Sequence, residues 1–190
     1  MKYSYNKNKD NMGTLSAEAF GWLKLDGRGS WWIKNKRIEN PKLISFINSN
    51  YFSDDDGRYY FQNGNQRVFV SLAVAPYILR FSEKEIGRLI SHNGLLISKI
   101  CEIWLNADNR IFFNCENVVG VLDDRETFEF YDMLTDNRGD KISQKQNKGM
   151  DDYKLSGGIF PFFFNYGDNR HPIKIVRNPP KLWEGNPRPR

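Results

Sequence analysis

Between Asp26 and Arg80 the chain never runs far without a turn residue. Asp26-Gly27, Lys34-Asn35-Lys36, Asp56-Gly57, Asn63-Gly64-Asn65 and Ala75-Pro76 separate short segments rich in Trp, Tyr, Phe, Val and Ile. Segments so short and so rich in aromatic and β-branched residues form strands, and turns so tight join them as antiparallel hairpins. Glycine supplies the positive φ that such turns need, and Asp or Asn hydrogen-bonds locally to the backbone. One helix interrupts the series. Asn40-Pro41 is a strong start signal, because Asn accepts from first-turn amides while Pro has its φ already set. Leu43, Ile44, Ile47 and Tyr51 then recur at helical spacing with Phe46 beside them, so one face should pack on a sheet. The expected strands are Trp31-Trp32-Ile33, Arg37-Ile38, Arg58 to Phe61, Arg67 to Val70 and Ala75 to Arg80.

Upstream, residues 1–13 read as a polar, disordered leader, and Thr14 or Ser16 as the cap of a helical turn over Ala17 to Phe20 before a strand at Trp22 to Leu25. Downstream, Arg88 to Ile97 and Glu102 to Phe113 give two more hairpins. Asp123 with Glu126 forms a capping-box pattern, followed by Phe128, Tyr131 and Leu134 at helical spacing. Strands followed by one capped helix thus occur in each half: residues 14–80 as a first α+β subdomain and 81–136 as a second. Residues 137–153 are polar and read as a linker; 154–190 read as an extended arm carrying Phe160, Phe162, Phe163, Phe164 and Trp183 and ending in prolines. Full burial of one such aromatic side chain contributes roughly 1.5–3 kcal/mol, so the arm either packs back over the core or docks on a protein partner.

A chain of 190 residues with 39% hydrophobic residues has enough apolar surface for one core or two small adjoining ones. The net charge of +5 sits in the flanks. Residues 14–136 hold fourteen basic side chains against seventeen acidic ones, and 168–190 hold six against two. A weakly acidic core does not favour nucleic acid, whose non-specific affinity comes from neutralised phosphates. No run of eighteen apolar residues and no signal-peptide pattern is present, so no membrane span is expected. Cys101 and Cys115 fit free thiols in the cytoplasm, or in the mitochondrial matrix if the source is eukaryotic.

No catalytic constellation emerges, so the expectation is not an enzyme. His92, His171, Cys101 and Cys115 lack zinc spacing. Asp54-Asp55-Asp56 departs from the alternating acids of a calcium loop and reads as a solvated turn. Gly27-Arg28-Gly29 leads into a strand rather than a helix, so it is no dinucleotide fingerprint. No cofactor and no metal is expected. The remaining lead is a set of aromatic and Arg side chains on the strands: Trp31, Trp32, Arg58, Tyr60, Arg67, Tyr77 and Arg80, with Tyr59 among them. Rings stack on bases and Arg pairs with phosphate, so a face bearing part of this set suits a nucleotide or a single-stranded segment.

The pattern Asp26-Gly27, Trp31-Trp32, Ile38, Pro41, Asp56-Gly57-Arg58-Tyr59 and Ala75-Pro76-Tyr77 resembles the bacterial domain-of-unknown-function family 1285. Gly57-Arg58-Tyr59, Gly64 to Phe69, Asn109-Arg110-Ile111 and Val119-Gly120-Val121 also resemble an uncharacterised eukaryotic family usually assigned to mitochondria. The likeness covers about residues 20–136 and differs where Leu72-Ala73-Val74, rather than acids, precede Ala75-Pro76. It implies a duplicated α+β architecture whose second half is loosely like a pleckstrin-homology fold. It also implies a signalling role, with a small anionic ligand, a nucleotide-like one included, held between the subdomains. A scaffold subunit docking through its arm is the alternative.

Overall fold

The structure, a computed structural model, describes residues 17–85, 87–142 and 158–189, with backbone alone at 158–160. The expected leader at 1–13 and most of the expected linker lie outside the described residues. The fold is mostly β, with two sheets and few helices.

The first sheet is built from β1 (Ala17–Leu25), β2 (Trp31–Ile33), β3 (Lys36–Arg37), β4 (Tyr51–Ser53), β5 (Tyr59–Asn63) and β6 (Gln66–Leu72), in the order 3-2-1-6-5-4. Its hairpins fall at the turns that the sequence marks, and α1 (Pro41–Ser49) starts where Asn40-Pro41 places it. The Asn40 side chain accepts the Lys42 and Leu43 amides at 2.9 and 3.3 Å. Two expectations fail locally. Ala17 to Phe20 extends β1 instead of forming a helical turn, because the parallel ladder to β6 begins at Ala17 opposite Gln66. Tyr51 belongs to β4 and not to the helix, and its ring lies edge-on to Trp31.

The second sheet contains β7 (Tyr77–Phe81), β8 (Leu89–Ser91), β9 (Ile100–Asn106), β10 (Ile111–Cys115), β11 (Val119–Leu122), β12 (Leu134–Thr135), β13 (Gly158–Tyr166) and β14 (Asn169–Val176), in the order 12-13-14-9-10-11-7-8. A 3-10 turn (Asp124–Glu126) and α2 (Thr127–Asp132) lie between β11 and β12. The Asp123 side chain accepts the Arg125 amide, but Glu126 does not close a capping box; its carboxylate accepts the Phe81 amide. Within α2 the buried ring is Phe130, whereas Phe128 is 83% exposed and Leu134 has passed into β12.

The strand order of the first sheet recurs inside the second. Three strands in a meander, a helix, and a second meander give 3-2-1-6-5-4 in one and 11-10-9-14-13-12 in the other. In both, the first strand runs parallel to the last: β1 beside β6, β9 beside β14. The hairpin of β7 and β8 is extra, attached by the parallel pairing of β7 with β11.

The segment 158–176, expected within a separate arm, is a hairpin of the second sheet, with β14 an interior strand between β13 and β9 rather than an edge. Phe164 is fully buried between Phe130, Phe113 and Tyr166, at centroid distances of 5.0 to 6.2 Å. Only residues beyond Val176 are extended. They cross to the first sheet, where the Leu72 amide donates to the Gly185 carbonyl and the Glu184 amide to the Gly57 carbonyl. Gly57 has a φ of +72°, and a Cβ there would meet the Leu182 carbonyl at 3.2 Å. Trp183 ends stacked on Phe112, 6.3 Å away.

Candidate functional site

The expected aromatic and Arg set does not converge on one place. Strand alternation divides it. Trp31 and Tyr77 face inward, where with Tyr51, Tyr59 and His92 they form the seam between the sheets. His92 sits tightly there. Its Nδ1 accepts the Ile78 amide at 3.3 Å, and a Cβ on Gly29 would lie 2.7 Å from its own Cβ. Burial, then the nearby Arg80, pushes the imidazole down to about 3 against a weaker opposing pull from Asp26. His92 is therefore a neutral packing group at the seam.

Trp32, Arg58, Tyr60 and Arg67 belong to the opposite, outer face of the first sheet. Arg58 is spent on Asp54 at 2.7 Å and on the Phe69 ring, 4.6 Å below its guanidinium. Arg67 lies over Tyr60. Arg80 goes elsewhere again: its Nε donates to Asp123 at 2.8 Å and another nitrogen to the Arg28 carbonyl at 2.6 Å, tying the sheets together. Asp123 is fully buried. Burial by itself would raise its carboxyl, but hydrogen bonds from Arg125 and Arg80 prevail and hold it well below the usual carboxylate range. Of the arm's aromatics, Phe162 and Phe164 are buried in the chain's own core, and Phe163 lies under the Arg170 guanidinium. Trp183 is taken by Phe112, and the Phe160 side chain lies outside the described residues.

The residues that do converge are others. A cleft of about 620 Å³ opens between the sheets, lined by Asp26, Gly27 and Arg28 on one side and Asp108, Asn109 and Arg110 on the other. The first triplet is the turn from β1 to β2, the second the turn from β9 to β10, so the two occupy equivalent places in the recurring strand order. Each reads Asp-x-Arg. Val74, Val121 and Leu122 supply apolar lining, and Asp124 and Thr127 complete it. Gly27 keeps the cleft narrow at Val74, whose Cγ2 would lie 3.3 Å from an added Cβ.

Asp26 is a structural acceptor. Its Oδ1 takes the Arg28 and Ser30 amides and its Oδ2 the Trp32 indole N–H, at 2.8 to 2.9 Å. Burial opposes its ionisation, but these hydrogen bonds lower the carboxyl below its usual value. Asp108 accepts from the Asn106 side chain at 3.4 Å. Arg28 pairs with Asp124 at 3.2 Å, both about two-thirds exposed, and Arg110 is exposed with no ion-pair partner among the described residues. Two guanidiniums, one from each sheet, thus stand at an apolar-lined opening. Sequence reading passed over them because Arg28 and Arg110 sit in turns and carry no aromatic neighbour; the repeated Asp-x-Arg after a strand was the signal available. Among the described residues no cluster of His, Cys, Asp and Glu is arranged to hold a metal.

The fold has counterparts among solved structures. One is a DUF1285 family protein from Silicibacter pomeroyi DSS-3, with a TM-score of 0.52 and 11% identity over 84% of this chain and 82% of that one. At that identity the likeness is one of fold, to a member of the family that the sequence resemblance names. A DUF1285 family protein from Shewanella baltica OS155 is also matched, with a TM-score of 0.44 and 18% identity over 57% of this chain and 89% of that one. No curated protein matches. The family model that matches is a different one from that resemblance: over residues 16–159 the chain fits, and so belongs to, the family described as a protein of unknown function (DUF2946).

Proposed function

We propose that the protein is a non-catalytic binding module that takes a small anionic ligand between its two sheets and serves a regulatory role. One observation carries this reading: Arg28 and Arg110 reach one cleft of about 620 Å³ from equivalent turns of different sheets. Arg pairs planar anions through two parallel N–H groups, so a carboxylate or phosphate fits between them. The apolar lining at Val74, Val121 and Leu122 suits a flat organic body beside the anionic group, as in a nucleotide. The carboxylates nearby already serve as acceptors for backbone and guanidinium groups, which favours holding a ligand over transforming it. An anion takes over the Arg28 guanidinium from Asp124, and occupancy is then felt at the seam through the Arg28 carbonyl held by Arg80.

The same reading treats the two sheets as a duplicated unit. The recurring strand order supports it, as does the matching position of the caps Asn40 and Asp123 before α1 and α2. A sheet closed by a helix is what supports a pleckstrin-homology likeness of the second half. The free thiols Cys101 and Cys115 favour a reducing compartment such as the cytoplasm. No helix among the described residues is long and apolar enough to cross a membrane.

Thermal unfolding of the full chain with inorganic phosphate, pyrophosphate, nucleoside mono- and diphosphates and dicarboxylates tests the reading. A compound at about 100 times its Kd raises stability by roughly 2.7 kcal/mol, and Arg28→Ala or Arg110→Ala removes that gain. A panel without any shift, or a shift that survives both replacements, overturns the cleft as the site.

A further inference from the structure

The outer face of the first sheet carries a row of rings unrelated to the cleft. Phe52 on β4, Tyr60 on β5 and Phe69 on β6 are register partners, and Phe20 of β1 stacks on Phe69 at 4.6 Å with ring planes 4° apart. Successive centroids lie 6.1, 5.7 and 4.6 Å apart, so four aromatic residues cross four adjacent strands in contact. Strand alternation adds Trp22 and Trp32 to the same face. α1 lies on the other side, where Phe46 packs edge-on against Phe61 and Ile47 is buried. Part of the outer face stays accessible among the described residues: Trp22 is 55% exposed and Phe52 41%, with Phe20, Trp32 and Tyr60 half-buried, while Phe69 is buried beneath the Arg58 guanidinium.

The charge on this face runs against that of the surrounding core. Residues 14–136 hold more acids than bases, yet alternation and register place Lys24, Arg37 and Arg67 here and, among the described strand residues, only Glu18 as a carboxylate, while Arg58 is neutralised by Asp54. The Arg67 Nε is shielded from solvent and has no hydrogen-bond partner among the described residues. A partner for such a face needs flat π surfaces for the rings and repeated negative charge for the cations. An acidic peptide offers the charge without the flat surfaces.

We propose that the outer face of the first sheet binds single-stranded nucleic acid, bases stacking on exposed rings of the row and phosphates pairing with Lys24, Arg37 and Arg67. Stacking on a sheet platform is tolerant of sequence, and the basic groups make affinity fall with salt. The site is separate from the cleft and does not depend on it.

Fluorescence anisotropy of a labelled oligothymidylate and an oligouridylate of about twelve nucleotides, titrated with the full chain, tests the proposal. The expected result is a Kd of roughly 10⁻⁶ to 10⁻⁴ M that weakens as salt rises. Phe52→Ala and Trp22→Ala, both at exposed positions, each weaken binding roughly tenfold while the fold is retained and the melting midpoint falls only slightly. Lys24→Gln combined with Arg37→Gln flattens the salt dependence. Arg28→Ala separates the two sites: it removes a small-anion effect in the cleft and leaves oligonucleotide affinity as it was. The proposal is overturned if neither oligonucleotide binds, or if binding ignores the ring and Lys24/Arg37 replacements and disappears with Arg188→Ser instead. It also fails if the same ring replacements dissolve a concentration-dependent dimer that binds no oligonucleotide, which assigns the face to a second copy.

Discussion

The first and second sheets share a strand order but spend their side chains differently. Each has a helix on one face, with Ile47 of α1 and Phe130 of α2 as the buried anchors. On the far face they diverge. In the second sheet Phe112 is buried and covered by Trp183, delivered by the chain after β14. In the first sheet the far face ends in rings and guanidiniums, with Arg58 over Phe69 and Arg67 over Tyr60. A shared topology therefore does not decide which faces become core. In the second sheet that cover comes from a single strap residue, Trp183.

Replacing one ring in each sheet is the sharpest way to break that comparison. Phe164→Ala, at a fully buried position, should cost about 3–5 kcal/mol in urea unfolding. Phe52→Ala, 41% exposed on an edge strand, should cost no more than about 1 kcal/mol. Equal costs would mean that the outer face is closed in solution.

The helix caps come next. Asn40→Ala removes a simple cap worth about 1 kcal/mol. Asp123→Ala should cost more, about 2–3 kcal/mol, because it also strands Arg80 and Arg125 around a buried site. If the two replacements cost the same, the Asp123 network adds nothing beyond capping.

Acid should act on the seam between the sheets. The unfolded His92 takes a proton near 6.5, the folded one only near 3, so between those values the unfolded state binds more protons. Stability falls as pH drops through that window, by about 2 kcal/mol at about pH 5 from this residue. His92→Leu should flatten the slope between 6.5 and about 3. The depressed Asp123 carboxyl contributes stability above its ordinary value of 3.8 that is lost only in stronger acid, so a slope unchanged by His92→Leu would point away from the seam.

The most local effect belongs to the covering strap. Trp183→Ala should lower stability by roughly 1–2 kcal/mol, since the indole is half-buried. Hydrogen exchange should quicken around Phe112 and leave the far face of the first sheet unaffected. Quickening in both sheets would show the strap to be a clamp on the whole molecule.

Local chemistry made much of the fold legible. Asn40-Pro41 placed α1, Asp26-Gly27 and Asn63-Gly64 placed turns, and runs such as Val68-Phe69-Val70 placed strands, because these signals act over a few residues. The stripe in the second helix was misread, since Phe128 and Phe130 are equally apolar and only the position of Phe113 and Phe164 selects Phe130. The candidate site was less legible still. Trp31 and Trp32 are neighbours in sequence, yet the pleat sends one to the seam and the other outward. Arg28 and Arg110 lie far apart in the chain and meet at the cleft only because two meanders pack with equivalent turns adjacent.

By itself the sequence determined the hairpins, the first helix and the excess of basic charge toward the chain ends, all properties of short segments. The tertiary structure decided the parallel pairing of β1 with β6 and β9 with β14, the return of the C-terminal hairpin into the second sheet, and the cleft. These are contacts between distant segments. Their free energy comes from burying rings such as Phe164 against surfaces that do not exist until the other segments have folded.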